Sequence, residues 1–579
     1  MTSADDLLVA AEQWVAADPD PTTAAELTAL IARARSGDAG ARVEVADAFD
    51  GTLEFGTAGL RGRLGPGSNR MNRVVVARAA AGLAAYLLEN GGHSIVIGYD
   101  ARRNSDVFAH DTAQIMAGAG ISAMVLPRPL PTPVTAFAIH FLGASAAVMV
   151  TASHNPPEDN GYKVYLGDGC QIVPPADTAI STCISRVGAV ADIPRSDDYV
   201  TLDDGVLDAY ISRAQQLLPP GPRDITTVYT AMHGVGGDVF VRAARGAGFP
   251  DPLRVAQQFE PDPRFPTVAF PNPEEPGAMD LALAEATAHG ADIIIANDPD
   301  ADRCAAGIPV PEGRRREGEA APLGDPGRRR DGEAAPLGDV YRMLTGDEVG
   351  WLLGWWTVER IRRSGAPMTG TMAQSIVSGT LLKAIALDAG LDYAATLTGF
   401  KWIARVPGLV FGYEEALGYC VDPAHVTDKD GITAALVLME MAAHLKAEGR
   451  GIQDVLDDLA RRFGLYLTSQ VSVRVGDVSL IADAMARLRS APPRELGGRD
   501  VQEVVDLEEG AYGLPATDGL LYVLDGARVV IRPSGTEPKL KCYLQIVVPV
   551  DGDLDAAKEA GRADMSALRV SVSGALGLD

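Results

Sequence analysis

Apolar and polar positions along the chain repeat with two alternating periods. Residues 5–49 space Leu, Val, Ala and Trp as a helix does, with an interruption at residues 18–21, which predicts two helices ahead of the first domain. Beyond them, short β-branched runs at 94–98, 121–126 and 146–150 are interleaved with Ala-rich helical stretches such as 105–119. That alternation predicts α/β units around a mixed or parallel sheet. LLPPGPRD at 217–224 breaks the pattern and marks a domain boundary; a strand at 225–230 follows, and a second, at 292–298, ends on an acidic loop. A further unit begins near Thr345 and contains a strand at 408–412. From Leu465 onward YLTSQVSVRV alternates like an exposed antiparallel strand, followed by a helix at 479–489. The expected organisation is N-terminal helices at 1–49 and four domains at 50–218, 219–344, 345–464 and 465–579.

Length agrees with that division, since 579 residues exceed what one hydrophobic core organises. A hydrophobic share of 47% and a charged share of 22% belong to an ordinary globular chain. No apolar run approaches the roughly 20 residues of a membrane helix. The formal net charge of −26 argues against nucleic acid or an anionic membrane as partner, because both demand a surplus of Lys and Arg. Cys170, Cys183, Cys304, Cys420 and Cys542 form no Cys-x-x-Cys pair and read as reduced thiols. The first residues are acidic and lack the basic stretch of a secretory signal, so the expected location is cytoplasmic.

One repeat stands out. RRREGEAAPLGD at 314–325 recurs as RRRDGEAAPLGD at 328–339. It is too polar to bury a face and is expected to be a mobile surface insert without catalytic duty.

Four segments carry candidate chemistry. TASHNPPEDNGYK at 151–163 brings Ser153 to a turn at the end of a predicted strand, where α/β sheets bind ligands; serines in such turns are also common turn formers. DPDADR at 298–303 alternates Asp298, Asp300 and Asp302 after an apolar strand. Three carboxylates there repel one another unless a cation joins them, and oxygen donors suit Mg²⁺. An EF-hand loop opens with the same spacing, but Arg303 stands in its glycine position and Pro309 where its glutamate belongs. FGYEEALGY at 411–419 carries adjacent Glu414 and Glu415, good acceptors for sugar hydroxyls. RPSGTEPKLK at 532–541 puts Arg532, Ser534, Gly535 and Thr536 in one turn suited to a phosphate, without the P-loop pattern.

In this order and spacing the four segments resemble those of the α-D-phosphohexomutase family, which includes phosphoglucomutases and phosphomannomutases. FGTAGLRG at 55–62, GYDARRNS at 98–105, AMHGVGG at 231–237, TGFKWI at 398–403 and DKDG at 428–431 resemble its phosphoglucomutase-2-like and phosphopentomutase branch. The resemblance spans about residues 50–545. It implies an α/β fold: a four-domain, heart-shaped enzyme with three related mixed α/β domains and a C-terminal α+β domain like the TATA-box-binding protein.

The resemblance also implies roles. Ser153 matches the phosphoserine, and Asp298, Asp300 and Asp302 match the ligands of one Mg²⁺ per site, with a phosphoserine oxygen as a further ligand. Lys163 matches a lysine implicated in proton transfer and Arg61 an active-site arginine, with His154 beside the serine. Glu414 matches the sugar-binding glutamate, with Arg303, Thr398, Lys401, Glu415 and Ala416 completing the expected substrate contacts. Arg532, Ser534, Gly535 and Thr536 match the phosphate loop. The implied activity moves a phosphoryl group between two hydroxyls of one phosphorylated sugar, with a sugar 1,6-bisphosphate as activator. The family's sugar loop often reads Gly-Glu-x-Ser-Gly, whereas here Ala416 replaces the serine, which leaves glucose, mannose and pentose open. A bisphosphate synthase, a phosphopentomutase and a serine/metal phosphatase remain as alternatives.

Overall fold

A computed structural model of the chain describes residues 4–310, 340–477, 479–534 and 539–577. The duplicated insert, together with Gly535 and Thr536 of the expected phosphate loop, lies outside the described residues. Two compact units are formed. One comprises Met1–Met343 with Gly418–His444, the other Leu344–Leu417 with Leu445–Asp579. The first unit's long segment ends at Met343, and Gly418–His444 groups with it.

The N-terminal segment contains three helices, Ala4–Ala17, Pro21–Arg35 and Ala39–Phe49, where the spacing predicts two. The break at 18–21 is as expected, and Asp20 caps the second helix. A second break follows from Gly37, at φ +98°, and from Asp38, whose carboxylate accepts the Ala41 amide as N-cap. The three helices share a core of Leu8, Leu27, Leu30, Ile31, Val45 and Phe49.

Strands β1 (Leu60–Arg63), β2 (Ser94–Tyr99), β3 (Ser122–Val125), β4 (Ala146–Val150), β5 (Asp159–Leu166) and β6 (Val200–Thr201) form the first sheet, in the order β1-β5-β4-β2-β3-β6. β4, β2, β3 and β6 run parallel, while β5 returns antiparallel to β4 and β1 pairs antiparallel to β5. Helices cover its faces, so β4 reads as a continuous buried run, Ala-Ala-Val-Met-Val. A second sheet repeats the theme with β7 (Thr227–Thr230), β8 (Leu253–Arg254), β9 (Ile293–Asn297), β10 (Cys304–Pro309) and β11 (Tyr341–Met343), ordered β11-β10-β9-β7-β8. Here β9, β7 and β8 are parallel and β10 returns antiparallel to β9. In both sheets the parallel strand that borders the antiparallel return, β4 or β9, leads into a loop before the chain turns back. Those two loops are the serine and aspartate motifs.

Close approach of backbone explains one glycine in each of two further motifs, FGTAGLRG and AMHGVGG. Gly59 has φ +74°, and a Cβ there would lie 1.9 Å from the Tyr162 carbonyl oxygen. At Gly234 a Cβ would lie 2.3 Å from Pro299 Cα, and Met232 and His233 before it both hold positive φ. AMHGVGG is thus a close-packed support behind the aspartate loop, tied by the Val235 amide to the Pro299 carbonyl at 2.8 Å.

In the second unit, helix Gly346–Ser364 starts with a capping box between Thr345 and Glu348. It packs on β14 (Leu409–Glu414), in a sheet where β12 (Thr371–Ser375), β13 (Asp392–Thr396) and β14 run parallel. The last sheet is antiparallel, ordered Leu465–Arg474, Lys539–Val548, Ala527–Pro533, Leu520–Leu524, Arg499–Asp506 and Glu495–Leu496. Among the described residues no helix is long and apolar enough to cross a membrane.

Candidate active site

Three residues beyond the end of β4, Ser153 sits at φ +52°, a left-handed conformation that non-glycine residues rarely hold. It is buried, and its hydroxyl donates to Asp298 Oδ2 at 2.7 Å; His154 Nδ1 lies 3.2 Å from Ser153 Oγ. The Ser153 amide donates to Thr151 Oγ1 at 2.8 Å. Burial, together with the positive charges of Arg303 and Arg61, pushes the His154 imidazole well below its ordinary range, so it is neutral at pH 7.

The aspartate loop leaves β9 with all three carboxylates buried and their oxygens within 4.8 Å of one another. Asp300 Oδ1 and Asp302 Oδ1 have no hydrogen-bond partner among the described residues. Leaving such oxygens dry and unpaired is costly, and hard oxygen donors converging this closely suit a divalent cation. The donor set therefore fits Mg²⁺.

Lys163, on β5, places its ammonium 2.7 Å from Asp300 Oδ2 and 2.8 Å from Asp302 Oδ2. Burial pulls its pKa down, yet the two aspartates outweigh that and hold it above its ordinary value. On Asp302 burial works upward, but Lys163, Lys429 and Arg303 overcome it and keep the carboxyl below the usual range. Asp298 goes the other way, raised well above that range by burial and by the like charges of Asp300 and Asp302. Arg303 donates its amide to Asp298 Oδ1 at 3.0 Å. Arg61 reaches the serine loop, Nη1 lying 3.4 Å from Asn155 Oδ1.

Three participants escape sequence reasoning. Thr132 donates to Asp300 Oδ2 at 2.6 Å, and its amide binds the Asp300 carbonyl. Lys429 lies 3.2 Å from Asp302 Oδ2 and from Asp428 Oδ1, while Tyr165 and Gln171 fix the other Asp428 oxygen. Arg102 donates to the serine loop's backbone. The stretches GYDARRNS and DKDG hold two of these three, but nothing in either stretch shows which side chain matters.

The remaining predicted residues lie in the second unit. Glu414 Oε1 accepts the Gly399 amide at 2.7 Å, which brings FGYEE and TGFKWI together and sets Thr398 and Lys401 beside that contact in the chain. Glu415 instead turns its carboxylate to the hydroxyls of Ser375 and Ser378, at 3.0 and 2.8 Å. Burial and the charge of Asp347 push it up. One of its oxygens, Oε2, thus ties its loop to the end of β12. Ala416 is half-buried beside it. Arg532 lies near the end of its strand, and the Ser534 amide donates to the Lys539 carbonyl at 2.8 Å, joining the two sides of the expected phosphate loop. Of the basic residues among the expected site residues, Arg61, Lys163 and Arg303 stand at the serine and aspartate loops of the first unit; Lys401 and Arg532 belong to the second.

Residues 52–190, 208–309 and 345–463 match the family descriptions of phosphoglucomutase/phosphomannomutase alpha/beta/alpha domains I, II and III, and residues 471–547 match its C-terminal domain. The chain is 48% identical over 481 residues to a "Probable phosphomannomutase" of Haemophilus influenzae, covering 82% of this chain and 92% of that protein. It is 32% identical over 592 residues to a human "Phosphopentomutase", covering 93% of this chain and 91% of that one. Among solved structures it is similar to parafusin (phosphoglucomutase) of Paramecium in its open form, with a TM-score of 0.64. That likeness covers 89% of this chain and 94% of the other at 17% identity, and shows a common fold.

Proposed function

The chain belongs to the phosphoglucomutase/phosphomannomutase family of sugar-phosphate mutases, and we propose that it interconverts sugar 1-phosphates and 6-phosphates, or 5-phosphates where the sugar is a pentose, with Ser153 as the phosphoryl carrier. The observation that carries this reading is the buried Ser153 hydroxyl, held in a strained turn, donating to Asp298 and with a neutral imidazole at 3.2 Å.

In the forward half-reaction a hydroxyl oxygen of the sugar monophosphate attacks the phosphorus of phosphorylated Ser153. The Oγ–P bond breaks, a sugar O–P bond forms, and the serine oxygen recovers a proton. The intermediate is a sugar bisphosphate; its other phosphoryl group then passes to the Ser153 oxygen, that sugar O–P bond breaks, and the isomeric sugar monophosphate leaves. Mg²⁺ held by Asp298, Asp300 and Asp302 would withdraw charge from the transferring oxygens. Lys163 and Arg61 contribute fixed positive charge at the same place. Lys163 is charged in this arrangement, so it stands as a proton donor and counter-charge, whereas neutral His154 has the free lone pair a proton acceptor needs. Phosphorylated sugars are the proposed partners, with a sugar 1,6-bisphosphate as activator and neither nucleic acid nor membrane. The five free, buried cysteines suit a reducing cytoplasm.

For sugar choice we place glucose 1-phosphate among good substrates, with measurable turnover of mannose and pentose 1-phosphates. Glu414 accepts hydroxyls that a sugar presents similarly in both of its orientations, and Ala416 offers no polar group to read stereochemistry. The test is kcat/KM for the three sugar phosphates in wild type, Glu414→Ala and Ala416→Ser. Loss of a charged acceptor typically costs about 1.5–3 kcal/mol, so Glu414→Ala is expected to slow every sugar roughly 10- to 100-fold. Ala416→Ser is expected to change their ratio more than their sum. Unchanged values in Glu414→Ala would remove the 411–419 loop from the sugar site.

A further inference from the structure

We infer that Arg102 is a positioning residue for phosphoryl transfer, acting by holding the backbone of Ser153 in its left-handed turn. The inference rests on the reading of Ser153 as the phosphoryl carrier.

The Arg102 guanidinium points at backbone, and its hydrogen bonds are unusual in number. Nη2 donates to the carbonyls of Ser153 and Asn155, both at 2.6 Å. Nη1 donates to those of Pro156, at 2.8 Å, and Asp159, at 3.2 Å. One planar fork thus gathers four carbonyls of a single loop, a task for which arginine's fixed donor geometry is suited and lysine's is not. The ring of Phe265 closes over the guanidinium, with its centroid 5.0 Å away.

Asp100 completes the device. Its carboxylate lies 3.3 Å from Arg102 Nε, and both side chains are 1% exposed. It also accepts the Ser105 hydroxyl and the Thr151 hydroxyl, each at 2.7 Å. Thr151 Oγ1 in turn accepts the Ser153 amide. One buried ion pair therefore governs both backbone groups of Ser153: its carbonyl directly through Arg102, its amide through Thr151 and Asp100. A non-glycine residue at φ +52° reverts to extended or helical backbone unless its surroundings over-determine it. Reversion would carry Oγ away from Asp298, and a displacement of about 1 Å at a reacting atom costs on the order of 100-fold in rate.

Neither Arg102 nor Asp100 is among the three aspartates or in the 411–419 loop, so ground-state binding should be spared. In Arg102→Lys and Arg102→Ala, kcat is expected to fall about 100-fold, with KM for the sugar phosphate and half-saturating Mg²⁺ unchanged within about threefold. Guanidinium chloride at low millimolar concentration should restore Arg102→Ala by about tenfold over methylammonium chloride of equal strength, because only the former supplies a planar fork. Arg102→Lys keeps the buried charge beside Asp100 and decides the matter should Arg102→Ala fail to fold. Turnover within about threefold of wild type in Arg102→Lys, or a loss in which KM and the Mg²⁺ requirement rise in step and guanidinium restores nothing, overturns the inference. Ser153→Ala, run in parallel, separates the two ideas. An active Ser153→Ala sinks the carrier reading itself, whereas an inactive Ser153→Ala beside an unimpaired Arg102→Lys sinks only the role of Arg102.

Discussion

Ser153→Ala is expected to lower mutase turnover by about 10⁴-fold or more while leaving a folded protein, because the group that forms and breaks a covalent bond has no substitute in the site. The stability cost is small for a physical reason. The hydroxyl makes one strong contact, to Asp298 Oδ2, and a buried hydrogen bond contributes about 0.5–1.5 kcal/mol net. Asp298 already carries a raised pKa from burial and from Asp300 and Asp302, so it can meet the loss by taking up a proton. The Ser153 amide and carbonyl keep their partners, Thr151 and Arg102. Melting temperature should accordingly fall by no more than about 4 °C. Turnover near wild type would remove Ser153 from the chemistry.

The second large effect concerns the aspartates. EDTA should abolish turnover and Mg²⁺ should restore it. Asp300→Asn should raise the Mg²⁺ concentration for half-maximal activity at least about tenfold, because changes merely around a metal's ligands already cost 10- to 100-fold. The replacement removes a negative charge that now holds Lys163 and accepts from Thr132, so turnover at saturating Mg²⁺ should fall as well. Titrating Mg²⁺ against initial rate in both proteins measures the two effects separately. Indifference to EDTA together with an unshifted Mg²⁺ curve in Asp300→Asn would contradict a metal at these residues.

How much of this was legible in the sequence follows from the range of each contact. Ser153 and the three aspartates stand in short contiguous motifs at strand ends, so local pattern and motif order reveal them together. Thr132 meets Asp300 across 168 residues of chain, and no local signal marks it. Arg102 sits inside a motif the sequence does display, yet its four acceptors are backbone carbonyls, which look alike in every sequence. Glu415 shows the opposite failure. Adjacent glutamates read as a pair of sugar ligands, but the strand ends at Glu414, and Glu415, in the turn that follows, directs its carboxylate to Ser375 and Ser378. The third N-terminal helix was hidden because its start depends on a single positive φ at Gly37 and one cap at Asp38, in a stretch whose apolar spacing continues across the break.

The most direct test of the central claim follows a labelled phosphate. Enzyme charged by glucose 1,6-bisphosphate carrying labelled phosphate is freed of ligand, mapped by peptide mass spectrometry, and then mixed with unlabelled glucose 6-phosphate in a single turnover. The label is predicted on the peptide containing Ser153, and after mixing it should pass to glucose bisphosphate and then to glucose monophosphate. Label found on another residue, or released as inorganic phosphate with no labelled sugar, would contradict the account.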